Sequence, residues 1–264
     1  ARRDGAAPPV PMTATWRERL RVPNHRGVAV PRTLGFVLIA GAAVGGVVAS
    51  LEQAPMQDGL ITLAALAAVF AAGLVDDLVG SRARGLRGHL RELARGRPTT
   101  GIAKLVVVVG VAVAVVASGP SGPVGEQVAA VVVLAASANV ANGLDVRPGR
   151  ALKAFVVPVI VFAAAGVPSS APVLVGVAVA ATVILPLDLR ERAMLGDAGA
   201  NVLGFAGGIM VVRAVDGVVE AVVAIGLVGL NLVAETVTFS RVIDASPPLR
   251  WLDALGRTRE EPSP

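Results

Sequence analysis

Long apolar runs that end on charged residues constrain this chain more than any other feature. Eight such runs lie at about 33–51, 60–75, 102–118, 125–142, 152–166, 171–187, 198–214 and 219–239. A membrane-spanning helix needs about 20 residues, with a range of about 17–25. In lipid, backbone amides must be satisfied within the segment itself, which leaves the helix as the natural form for each run. The expected fold is therefore all-α: a polytopic transmembrane helix bundle of about eight helices over residues 33–239. A polar N-terminal segment, 1–32, and a polar tail, 240–264, flank it. Only 16% of residues are charged, against about 25% in a soluble domain. The chain has no cysteine, which excludes disulfides and thiolate-bound metals.

The charges are distributed unevenly. The links at 52–59, 119–124, 167–170 and 215–218 hold Glu52, Asp58 and Asp216 but no Lys or Arg. Of the 24 basic residues, only Arg213 falls near that side. By the positive-inside rule, both termini and the arginine-rich loops face the cytoplasm. Valine, alanine, glycine and arginine dominate, as in a GC-rich bacterial genome, so the expected location is a bacterial cytoplasmic membrane. The basic residues sit in loops between apolar runs and no nucleic-acid motif is present, so nucleic acid is not an expected partner. Residues 1–32 lack the apolar core of a signal peptide, and Trp16 to Leu20 can form a short helix on the membrane surface.

Three stretches at the expected cytoplasmic ends carry the candidate chemistry. In Gly73-Leu74-Val75-Asp76-Asp77-Leu78-Val79-Gly80, an apolar run ends on two adjacent carboxylates, where the helix dipole disfavours negative charge. They either pair with Arg82 or Arg84 in the loop that follows, or serve to bind Mg²⁺ or position a phosphate. In Asn139-x-x-Asn142-x-x-Asp145, two amides and a carboxylate share one helix face if the helix continues. Such groups either order a metal–phosphate site or hydrogen-bond between helices. Gly196-Asp197-Ala198-Gly199 opens the third stretch, and Asp197 either caps its helix or binds a metal.

Cations surround these groups. Lys104 lies in the first turn of a helix in Thr99-Thr100-Gly101-x-x-Lys104, a poor place for a cation, and either snorkels or meets phosphate. Thr99 or Thr100 can cap that helix. His89 sits in the arginine-rich loop, Arg147, Arg150 and Lys153 form a cationic turn suited to an anionic substrate, and Arg190 follows Asp188. The pairs Gly41/Gly45 and Gly204/Gly208 are read as helix-packing motifs. If the acidic stretches form one site, the Asp77 and Asp197 carboxylates lie within roughly 10 Å, and Lys104 with Arg147 or Arg150 lines the same cleft.

Asp76-Asp77, Gly88-His89, Thr99-Thr100-Gly101-x-x-Lys104, Asn139-x-x-Asn142-x-x-Asp145 and Gly196-Asp197-x-Gly199 occur in this order. The ordered set resembles the polyprenyl-phosphate N-acetylhexosamine-1-phosphate transferases, the family of the phospho-N-acetylmuramoyl-pentapeptide transferase and the N-acetylglucosamine-1-phosphate transferases. Asn24-x-Arg26-Gly27 with Pro31-Arg32-x-x-Gly35 resembles that family's entry to its second helix. The resemblance covers roughly residues 23–240. It implies transfer of a sugar 1-phosphate from a UDP-sugar to a polyprenyl phosphate, with release of UMP. The implied cofactor is Mg²⁺, with Mn²⁺ as an option. Asp76 and Asp77 match the acidic pair that activates the acceptor and handles metal. Asp197 matches the metal-ligand aspartate, Asn142 and Asp145 the motif near the nucleotide sugar, and Lys104 a phosphate-contacting lysine.

The sequence also departs from that pattern. Pro148 stands where the family has a second aspartate that helps hold uracil, Met194 replaces an aromatic residue, and no histidine follows Phe239 where the family has a histidine-rich loop. The family carries a further helix at each end, the N-terminal one expected ahead of Ala1. The leading expectation is a cell-envelope glycosyl-1-phosphate transferase, its partners a polyprenyl phosphate, a nucleotide sugar and membrane lipids, with a homodimer as an option. The departures favour an alternative, a non-catalytic relative that binds lipid phosphate or scaffolds envelope assembly. A transporter ranks last, because the polar residues cluster at one face and not at mid-membrane.

Overall fold

The computed structural model describes residues 15–52, 56–80, 85–164 and 172–257. All eight apolar runs are helices: α2 (Leu34–Leu51), α3 (Met56–Val79), α5 (Thr100–Ser118), α6 (Val124–Leu144), α7 (Arg150–Ala164), α8 (Pro172–Leu189), α9 (Gly196–Ala214) and α10 (Gly217–Thr236). Four shorter helices complete the set among the described residues: α1 (Trp16–Arg19), α4 (Gly85–Ala94), α11 (Phe239–Ala245) and α12 (Pro247–Ala254). A small antiparallel hairpin, β1 (Arg21–Pro23) and β2 (Ala29–Pro31), precedes α2. The chain is all-α in its architecture.

Six helices, α2, α3, α5, α6, α8 and α10, are long and apolar enough to cross a membrane. The fold is thus compatible with a multi-pass membrane protein. Neither α7, 15 residues long, nor α9, which carries Asp197, Asn201 and Arg213, is among the six.

The reason for the polarity of α9 is its position. It packs against α2, α3, α6, α7 and α8, and every residue from Ala198 to Ala206 is buried. A helix enclosed in this way needs small side chains more than a lipid-facing apolar surface. The peripheral helices show the opposite balance. On α5 the described core residues are Val108 and Ala112, while Val106 and Val113 point outward; on α10, Val222 and Ile225 do the same.

Small residues set the closest contacts. A β-carbon on Gly41 would lie 2.5 Å from the carbonyl oxygen of Gly176, so α2 and α8 touch through their backbones. A β-carbon on Gly204 would lie 2.2 Å from the carbonyl oxygen of Ser137, which brings α6 equally close to α9. Both glycine pairs noted in the sequence therefore sit at helix contacts. Phe36 of α2 and Phe70 of α3 meet edge to face, with ring centroids 5.0 Å apart, a favoured aromatic geometry. Pro158 and Pro186 lie inside α7 and α8.

Candidate functional site

The C-terminal end of α3 meets the N-terminal ends of α5 and α9. Three local features produce this junction. Thr99 caps α5 by accepting a hydrogen bond from the Ile102 amide. Gly196 begins α9 with φ +67°, a left-handed conformation that glycine adopts without steric penalty. Gly73 lies one turn before Asp77, and a β-carbon there would stand 2.6 Å from the Ala198 Cα. The missing side chain lets α3 settle directly on the first turn of α9.

Asp77 is buried, with 6% of its surface exposed. Its carboxylate accepts hydrogen bonds from the backbone N–H groups of Asp197 (3.1 Å) and Ala198 (3.0 Å) and from the Arg32 guanidinium (2.8 Å). It therefore caps α9 from another helix, where unpaired amides and the helix dipole favour an anion. Asp76, its neighbour, faces a different direction. It accepts from the Thr100 hydroxyl and pairs with the Lys104 ammonium at 2.8 Å. Lys104 also pairs with the Asp197 carboxylate. Two carboxylates from α3 and α9 thus converge on one cation from α5. The apparent misplacement of Lys104 in a first turn has its explanation here: the attraction of two anions outweighs an unfavourable helix dipole of about 0.3–1 kcal/mol.

Asp145 follows the last residue of α6. Burial raises the pKa of its carboxyl well above the ordinary carboxylate range. The nearby charges of Asp188, Asp197 and Asp77 raise it further, while Arg32 opposes them. Those influences tie Asp145 to the same acidic region. Asn142 stands half-buried one turn before it.

Other expected site residues have structural partners. The Asn139 amide donates to Asn231 of α10, a link between helices. His89 Nδ1 lies 2.8 Å from the Thr99 hydroxyl, and its ring covers Gly101, where a β-carbon would fall 2.4 Å from His89 Cε1. Arg147 lies at the surface, 3.8 Å from Asp244. Arg190 is exposed at the end of α8.

Arg150 does not line the junction. It is buried, makes a two-pronged ion pair with Asp253 of α12 (2.7 and 3.0 Å), and donates to the Ser240 hydroxyl. The Lys153 ammonium donates to the carbonyls of Leu252, Asp253 and Leu255, closing the C-terminal end of α12. Arg257 adds a second cation to Asp253 at 2.6 Å. Burial pushes the Asp253 carboxyl up, but the Arg150 hydrogen bonds and the charges of Arg257, Arg150 and Lys153 outweigh it and hold the carboxyl below its ordinary value. The cationic turn expected to receive a substrate is, at Arg150 and Lys153, a clasp for the C-terminal helix. Arg82 and Arg84 lie outside the described residues.

No family model, no curated protein and no solved structure matches this chain. Among the described residues, no group of three or more His, Asp or Glu side chains is arranged to hold a metal ion. Arg32, which the sequence offers within Pro31-Arg32-x-x-Gly35 but not as a site residue, belongs to the junction through Asp77. The signal available was its place directly before an apolar run, at the same end as the aspartates.

Proposed function

We propose that the chain is an integral-membrane glycosyl-1-phosphate transferase, moving a sugar 1-phosphate from a nucleotide sugar, of the UDP-sugar class, to a polyprenyl phosphate. The observation that carries the reading is the convergence of Asp76 and Asp197 on Lys104, at the junction of three helices, beside the buried Asp77. Ionised groups at the end of apolar helices are costly unless they are paired or used, which marks a site. In the proposed reaction, an acceptor phosphate oxygen attacks the sugar-bearing phosphorus of the donor. The bond from that phosphorus to the bridging oxygen breaks, and UMP leaves with the oxygen.

Asp76 and Asp197 offer hard oxygen donors without sulfur or imidazole, a set that suits Mg²⁺ or Mn²⁺. Two carboxylates are enough for Mg²⁺, which usually completes its shell with substrate phosphate and water. When bound, the ion would supply charge neutralisation for the diphosphate. Lys104 would hold a phosphate oxygen, and Asp77, which the α9 amides and Arg32 already satisfy, would fix the position of Asp197. An apolar slot between α6, α7, α9 and α10, of about 190 Å³ and lined by Ala141, Leu144, Phe155 and Leu203, offers hydrocarbon contact near Asp145. The active side would face the cytoplasm of a bacterial cell, with α7 and α9 counted among eight spans.

A second reading has one specific observation in its favour. Lys104 already bridges Asp76 and Asp197, and Asp77 already has three donors, so each of these carboxylates has a partner without substrate. This suits a relative that binds lipid phosphate without turnover. Purified protein given polyprenyl phosphate, Mg²⁺ and a panel of UDP-sugars separates the two. UMP release supports the transferase; retention of the lipid phosphate without UMP release supports the binder.

A further inference from the structure

A polar cavity lies at the end of the bundle opposite the Asp76–Lys104–Asp197 junction. It encloses about 500 Å³ between the start of α3, the end of α5, the start of α6, the end of α9 and the start of α10. From Asp58 to Asp76 along α3 is 18 residues, or about 27 Å of helix at a rise of about 1.5 Å per residue, close to the hydrocarbon thickness of about 30 Å. The two sites therefore occupy opposite ends of the same helices.

The charges lining it are Asp58, Glu126, Glu220 and Arg213. Apolar walls from Val115, Leu134 and Ile209 run inward from them. Arg213 donates to the buried Thr62 hydroxyl at 3.2 Å, which anchors the guanidinium at the rim. Glu220 is 5% exposed, and its Oε1 is buried with no hydrogen-bond partner. The first turn of α10 favours a negative charge at Glu220, but a helix dipole supplies no donor to Oε1. A buried carboxylate oxygen left without a donor is destabilising. A water molecule could donate to it, yet would leave three carboxylates facing one guanidinium.

We infer that this cavity holds the headgroup of a phospholipid bearing a primary ammonium, of the phosphoethanolamine class. The ammonium supplies N–H donors and positive charge to Glu220 and Glu126. The phosphate meets Arg213, and the acyl chains follow the apolar walls into the surrounding lipid. A quaternary ammonium has no N–H to give Glu220, and a glycerol headgroup has no positive charge. The inference depends on the membrane setting and not on the transferase reading.

The test uses the full chain, delipidated in a neutral detergent. It is given phosphatidylethanolamine, phosphatidylcholine or phosphatidylglycerol of identical acyl chains, and native mass spectrometry measures the lipid retained. Phosphatidylethanolamine should be retained about tenfold better than either competitor and should raise the melting midpoint. Glu220→Gln should abolish its advantage over phosphatidylglycerol. Arg213→Gln should weaken all three lipids. If Glu220→Gln does not fold, Glu126→Gln carries the same expectation with a smaller loss. Equal retention of the three lipids by the unaltered protein, or an undiminished preference in the folded Glu220→Gln or Glu126→Gln variant, overturns the inference.

Discussion

The Asp77 carboxylate receives the backbone N–H of Ala198 at 3.0 Å, across 121 residues of sequence. One end of α3 is therefore the cap of α9. Because Arg32 pairs with the same carboxylate, removal of Asp77 leaves a helix terminus uncapped and a half-buried guanidinium unpaired. Asp77→Ala should destabilise the protein by about 2–5 kcal/mol, the loss of a helix cap together with a charge-assisted hydrogen bond. A double-mutant cycle with Arg32→Met should return a coupling of about 0.5–3 kcal/mol. Independent, additive effects in detergent melting would show that Arg32 and Asp77 do not act as an ion pair.

Asp197→Asn should behave differently. Lys104 keeps Asp76 as a partner, so the fold should persist while turnover, if the transferase reading holds, falls by about 100-fold or more, the scale seen when transition-state charge loses a stabilising group. Circular dichroism and UMP release measured on the same preparation check both halves. Near-normal turnover in this variant would mean that Asp197 is not a metal ligand.

The Arg150–Asp253 clasp predicts a local effect at the same end of the bundle as the aspartates. Asp253→Ala leaves Arg150 buried and without its carboxylate, and removes one of Arg257's partners. Hydrogen exchange should accelerate through α12 first, and trypsin should cut more readily at Arg250 and Arg257. Unchanged exchange in α12 would show that the clasp does not hold the helix down.

Asp145 predicts a pH dependence. Its carboxyl is raised in the folded chain, so the native state holds that proton more tightly than the unfolded state. The associated stability is fully present below about pH 4, the unfolded carboxylate range, and is lost as pH rises through the native value. Asp145→Asn removes this loss. The variant should match the unaltered protein near pH 4 and melt at a higher temperature near pH 8. An equal midpoint difference at both pH values would count against the raised carboxyl.

Topology can be checked without any assay of function. Single cysteines, absent from the natural sequence, can be introduced near Gly122 and near Arg91. In intact cells, an impermeant maleimide should reach the first and not the second. Labelling near Arg91 would reverse the orientation.

The sequence alone determined where the helices are. A run of valine, alanine and leucine is a local property, and its length and hydropathy need no knowledge of neighbours; all eight runs became helices. It also placed Asp76, Asp77, Lys104 and Asp197 at helix ends, because charge cannot lie within the apolar stretch without a partner. Tertiary structure decided which partner each charge received. Asp76 and Asp77 are adjacent and chemically identical, yet one faces Lys104 and the other caps α9, since successive helical residues point about 100° apart. Arg150 and Lys153 read as a phosphate-binding turn until α12, about 100 residues later, folded back to take them. Arg32 gained its role the same way, from Asp77, 45 residues away. An ion pair depends on distances across the packed bundle, and helix packing through Gly73 and Gly204 fixes those distances only once the chain has folded.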